Sequence, residues 1–193
     1  MELDKLDAKS RIMHAAVDLI GRQSNLNFTT REIAKKAEVN LASINYYFRS
    51  KENLLNEIVQ FFEKETNMIY QELNKTHIEP KDRITKWANR TMEHLIEYPG
   101  ILFMLATKLI KDNGNDAEIN SMVENLKLNL EPIIKEYLKA KDKEAVSFKA
   151  TQLLSGVITP ILIYHGVGRK LEFDINNEST RKKYISSLID SIL

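Results

Sequence analysis

The chain has no cysteine, which excludes disulfides and thiolate metal sites. Its six glycines form neither a phosphate-cradling loop nor a Gly-x-Ser-x-Gly turn. The four histidines, His14, His77, His94 and His165, make no pair at metal-ligand spacing and no His-Glu-x-x-His. No stretch approaches the roughly 18 uninterrupted apolar residues of a membrane span. The longest, Val157 to Tyr164, is broken by Thr159 and Pro160. The polar, partly acidic start, Met1 to Asp7, lacks the apolar core of a secretion signal. These absences give the expectation of a cytoplasmic protein that is no enzyme, carries no metal or cofactor and crosses no membrane.

Helical periodicity is present nearly everywhere. Ile12, Ala15, Ala16, Leu19 and Ile20 mark one face of a first helix ending near Gly21. Thr29 with Glu32 three residues on is a capping box for a second. Asn40 is an N-cap for a third and Ser50 for a fourth. The fourth carries Leu54, Leu55, Ile58, Phe61, Phe62 and Ile69 inward. Pro80 breaks the chain, Tyr98-Pro99-Gly100 and Asn113-Gly114 are stop signals, and Gly166 and Gly168 open a polar loop before the last helix. Pro132 is a candidate kink in a long helix. The expected fold is all-α, about nine helices. Residues 1–51 form a small N-terminal domain, the fourth helix (51–76) connects, and 77–193 form a larger helical domain.

Charge is uneven. Between Ala8 and Lys51 there are eight bases and three acids, a surplus of +5 in a chain of net charge +1. A basic head on a mildly acidic body suits a polyanion contact confined to one end. The third helix is slim where it starts, with Leu41, Ala42 and Ser43, as entry into a major groove about 12 Å wide requires. Thr29, Thr30, Ser43, Tyr46 and Tyr47 offer hydroxyls to phosphate oxygens, and Arg31, Asn40 and Lys51 flank them. Lys51 is read as a phosphate clamp. Ser43 and Asn45 are candidates for base edges, and Leu41 and Ala42 for thymine methyls. Tyr47, close to Ile44 and Phe48, is equally a candidate for the core.

Residues 10 to 55 resemble the N-terminal domain of TetR-family transcriptional regulators. The resemblance rests on Ile12, Ala15 and Ala16, on Thr30-x-x-Ile33-Ala34-x-x-Ala37-x-Val39, and on Tyr46-Tyr47-Phe48-x-x-Lys51-x-x-Leu54. The family's usual turn glycine is Glu38 here, and its usual cap serine is Asn40. Glutamate removes the most permissive backbone, so the turn is expected to adopt a conformation open to non-glycine residues. It also places an acid near DNA. The resemblance implies a homodimer that binds a palindromic operator in double-stranded DNA, repressing until a small effector binds the C-terminal domain.

Trp87, Tyr98, Phe103, Met104, Met122, Leu126, Phe148 and Tyr164 are candidate lining for an apolar cavity. No buried basic cluster calls for an anionic effector, so a neutral or cationic apolar compound is expected. The segment from Val157 to Tyr164 is apolar all round and needs cover on both sides. Val157, Ile161 and His165 with Leu188, Ile189 and Ile192 are therefore candidates for a twofold dimer interface. The competing reading is an all-α protein-interaction module without specific DNA binding.

Overall fold

A computed structural model describes residues 7–24, 27–111, 117–166 and 171–193, and their side chains except 108–111, 117–119, 121–123, 125 and 126. Among the described residues there are nine α-helices and no strand. They are α1 (Ala8–Ala16), α2 (Thr30–Lys36), α3 (Leu41–Phe48), α4 (Lys51–Tyr70), α5 (Pro80–Glu97), α6 (Gly100–Lys111), α7 (Ala117–Leu138), α8 (Lys143–Gly166) and α9 (Glu178–Ile192). The stop signal Asn113-Gly114 and the loop glycine Gly168 lie outside the described residues.

Local chemistry explains the starts. Asp7 accepts the Ser10 N–H at 2.7 Å and caps α1. Ser50 accepts the Asn53 N–H at 3.0 Å and opens α4. Pro80 begins α5, where its missing N–H costs nothing. The first helix ends near Gly21, as its sequence suggested, but its last turn is π-helical, Val17–Arg22, closed by the Gln23 N–H on the Asp18 carbonyl at 3.1 Å.

The chain divides into two compact units, and the division differs from the expected 51/77 boundary. One unit runs to Lys64 and includes Glu97–Met104; the other holds Glu65–Ile96 and Leu105–Leu193. The first has a core of Ile12, Ile20, Phe28, Ile33, Ile44, Phe48, Leu54 and Ile58, each at most 2% exposed. Leu55 and Phe61, expected inward, are only half-buried. In this unit the start of α6 rests on the π-turn. A Cβ on Gly100 would stand 1.7 Å from the Ile20 carbonyl oxygen, so only glycine fits. Beside it the Arg22 guanidinium hydrogen-bonds Glu97 and lies 5.2 Å over the Tyr98 ring, which packs on Phe62.

The second unit is built on Ile84, Trp87, Met92, Leu130, Ile134, Leu153, Val157, Ile161, Ile185 and Ile189, all buried. Trp87 stacks on Tyr70 at 6.4 Å, and burial pushes the Tyr70 phenol up to about 12. Two buried guanidiniums fasten backbone turns. Arg83 donates to the Leu73 carbonyl at 2.9 Å, and Arg181 to the Ile175 carbonyl at 3.1 Å; each also pairs with a glutamate, Glu136 and Glu93. Helix α8 is, by length and composition alone, apolar enough to cross a membrane, with a mean hydropathy of 1.4. Its Ala150, Leu153, Val157 and Ile161 are nevertheless buried within the chain, as in the core helix of a helical domain.

Candidate nucleic-acid interface

The interface starts from the two caps. Glu32 accepts the Thr29 N–H at 2.6 Å and its hydroxyl at 2.9 Å, while the Thr29 Oγ1 accepts the Glu32 N–H at 3.2 Å. This reciprocal box fixes the first turn of α2. The bonds from Thr29, backbone first, hold the Glu32 carboxyl below its ordinary range. A group whose acidity is strengthened by folding adds stability above its unfolded pKa and loses it as pH falls through the lowered value. Thr29→Ala should cost about 1 kcal/mol of unfolding free energy. In thermal melts, the gap between the wild type and Glu32→Gln should close as the pH is lowered into that acid range.

The turn into α3 contradicts the expected escape from left-handed backbone. Glu38 has φ 52°, the region glycine prefers. The reason is hydrogen bonding. The Val39 N–H reaches back to the Ala34 carbonyl at 3.0 Å and the Glu38 N–H to the Lys35 carbonyl at 3.3 Å, the pair that ends a helix through a left-handed residue. The geometry is thus the one a glycine would adopt, held by a residue that strains there. Glu38→Gly should stabilise the fold by about 1 kcal/mol. It should also strengthen binding to unrelated duplex DNA, read by chemical melts and by anisotropy, because an exposed acid is lost.

Asn40 caps α3 through its side-chain oxygen, which accepts the Ala42 N–H at 2.9 Å. Ile44 and Phe48 are buried against α1 and α2, so the opposite face is left outward. Thr29, Arg31, Asn40, Ala42 and Asn45 are exposed, and Thr30, Leu41 and Ser43 partly so. Tyr46 is 80% exposed and Tyr47 38%. The two rings meet edge to face at 5.0 Å, so Tyr47 is no core residue.

Lys51 has a partner within the chain. Its ammonium donates to the Phe28 carbonyl at 2.7 Å and sits 4.1 Å over the Phe28 ring. It ties α4 to the segment before α2, yet it stays exposed and has no carboxylate partner among the described residues. Three other bases of the head are engaged by carboxylates: Lys9 with Glu57, Lys36 with Asp18, and Arg22 with Glu97. Arg31, Lys35 and Arg49 remain exposed without an ion partner among the described residues. Lys35 and Arg49 are absent from the sequence-derived set. Lys35 could have been found, since it lies four residues from Arg31 on the same helix face. Arg49 could not, because only its left-handed backbone, φ 65°, turns the chain there.

The candidates for the body fare differently. Trp87 is 1% exposed and belongs to the core. Tyr98, Phe103 and Met104 fall in the first unit, whereas Phe148 and Tyr164 are in the second. Phe148 is 59% exposed. The Tyr164 hydroxyl accepts a hydrogen bond from Asn176. The side chains of Met122 and Leu126 lie outside the described residues. For the dimer set, Val157, Ile161 and Ile189 are 0% exposed within the single chain. They have no surface to offer a partner, because the apolar stripe at their spacing packs inward. Leu188 and Ile192 are half-buried and His165 is exposed.

The comparisons agree with this geometry. The profile of the family described as "Bacterial regulatory proteins, tetR family" matches residues 12–58. YttP of Bacillus subtilis, described as an HTH-type transcriptional regulator, is 40% identical over 58 residues, covering 30% of this chain and 28% of that one. The matched stretch is thus well under half of that relative's length. Among solved structures, a Clostridium perfringens protein described as a fatty acid metabolism regulator superposes with TM-score 0.69 at 24% identity over 95% of this chain and 96% of its own. A TetR transcriptional regulator from Legionella pneumophila gives 0.68 at 19%, over 97% and 98%. These identities carry the fold alone. Residues 12–58 thus carry the pattern of the tetR family of bacterial regulatory proteins, and the all-α fold of TetR-like structures extends along nearly the whole chain.

Proposed function

We propose that the protein is a homodimeric repressor that holds a palindromic operator and lets go when a small apolar molecule binds its C-terminal unit. The observation that carries the DNA-reading part is the outward face of α3, with Ala42, Asn45 and Tyr46 exposed at a capped, slim helix start. Ser43 and Asn45 read base edges, while Tyr46, Tyr47 and the hydroxyls of Thr29 and Thr30 position the helix on phosphates. Arg31, Lys35 and Arg49 supply the counterion-releasing charge. A palindrome requires two copies with reading helices about 34–36 Å apart. The partly exposed Ile158 and Leu162 of α8 with Leu188 and Ile192 of α9 are the surface that supports dimerisation. The effector shifts DNA affinity only by its own preference between the two states.

Fluorescence anisotropy on duplexes from around the protein's own gene tests this reading. Affinity for one sequence should exceed that for unrelated DNA and fall steeply with salt. Arg31→Ala, Lys35→Ala and Arg49→Ala should each flatten the log–log salt slope by about 0.9, and Asn45→Ala should alter base preference. Absence of any sequence preference would support the alternative, an all-α interaction module.

A further inference from the structure

The second unit carries a feature that neither DNA reading nor dimerisation uses. The C-terminal half of α7 and the first turn of α8 enclose an open groove of about 440 Å³. Its floor is apolar. Val146 is buried at 4% exposure, Pro132 borders it, and Leu128 is left 71% exposed. Its rim is basic, with Lys127, Lys135, Lys141 and Lys143, all exposed and none with its ammonium group in an ion pair or hydrogen bond among the described residues. Two acids also border it, but one is already occupied: Asp142 accepts the Glu144 N–H at 2.9 Å and caps α8. The other is Glu131.

We propose that this groove docks an acidic amphipathic helix of a partner protein, with leucine-like side chains over Leu128 and Val146 and carboxylates reaching the four ammonium groups. A trough between two packed helices has the shape that receives a third helix through its apolar face, and the rim charge selects an acidic partner. A second copy of this chain fits badly, since a twofold contact would bring the same four lysines together. A small anion is not what the groove is built for, because no buried polar side chain lines it to fix an orientation.

The test uses the full chain and a fluorescein-labelled synthetic helix with leucines along one face and glutamates along the other. Binding should be seen by anisotropy. Leu128→Asp, and Lys135→Glu combined with Lys143→Glu, should each weaken it about tenfold or more. Phe148→Ser, which alters an exposed apolar residue outside the groove, should leave it unchanged. Circular dichroism checks that the variants fold, and their DNA affinity should stay at the wild-type level, which separates this idea from the repressor reading. It is overturned by no binding, by equal binding of a helix whose leucines are replaced with serines, or by binding that survives both groove variants. Preferential binding to vesicles of phosphatidylglycerol and phosphatidylcholine over the helix would also overturn it, making the groove a lipid contact.

Discussion

Gly100→Ala should lower the unfolding free energy by about 3 kcal/mol and the melting temperature by roughly 6–12 °C. A methyl at this position would lie 1.7 Å from the Ile20 carbonyl oxygen, 2.8 Å from the Ile20 carbonyl carbon and 2.9 Å from the Gly21 oxygen. All three are backbone atoms, so no rotamer change relieves the contact; the start of α6 must back away from the π-turn. That retreat also loosens the Arg22 contacts to Glu97 and Tyr98. Gly156→Ala is the control. The three atoms nearest its methyl all belong to the Leu188 side chain, from 2.4 Å outward, which can rotate, so a loss of about 1 kcal/mol is expected. Thermal melts of both variants decide the matter. Equal melting temperatures would mean that the approach at Gly100 is not tight.

Ala42→Glu should weaken DNA binding about 100-fold without destabilising the protein. The two effects separate because they have different causes. Ala42 is exposed on the first turn of α3, where a carboxylate is favoured by the helix dipole. In a DNA groove the same carboxylate faces phosphates. Repulsion of about 1 kcal/mol per phosphate at 4 Å in water, and more at the lower effective dielectric of an interface, amounts to about 3 kcal/mol over a few neighbours. Melts and anisotropy on one preparation give both numbers. A variant that still binds DNA at full strength would place the reading surface elsewhere.

The helix-turn-helix was legible because its signals are local. Thr29 with Glu32, Asn40 and Ser50 lie within a few residues of the groups they cap. The apolar spacing of Ile33, Ile44 and Phe48 likewise identified the buried side. What the sequence hid depends on distant partners. The bond from Lys51 to the Phe28 carbonyl was hidden because the two residues are 23 positions apart. Val157, Ile161 and Ile189 looked available for a dimer because periodicity names a face but not what covers it. The π-turn has no residue signature; the stop expected near Gly21 falls within one residue of its end at Arg22. Glu38 misled for a subtler reason. Side-chain preference argued against left-handed backbone, but two returning N–H bonds outweighed it.

The engaged lysines and arginine of the head change how its charge should be felt at a distance. An electrophoretic or titration count would register a surplus of +5 between Ala8 and Lys51. A passing duplex meets mainly Arg31, Lys35, Arg49 and Lys51, since Lys9, Lys36 and Arg22 are already neutralised by carboxylates. Random stretches of chromosome should therefore retain the molecule only briefly. Residence at any location would depend on how well the hydroxyls and the Asn45 amide match the groove, which favours rapid sampling over prolonged sliding.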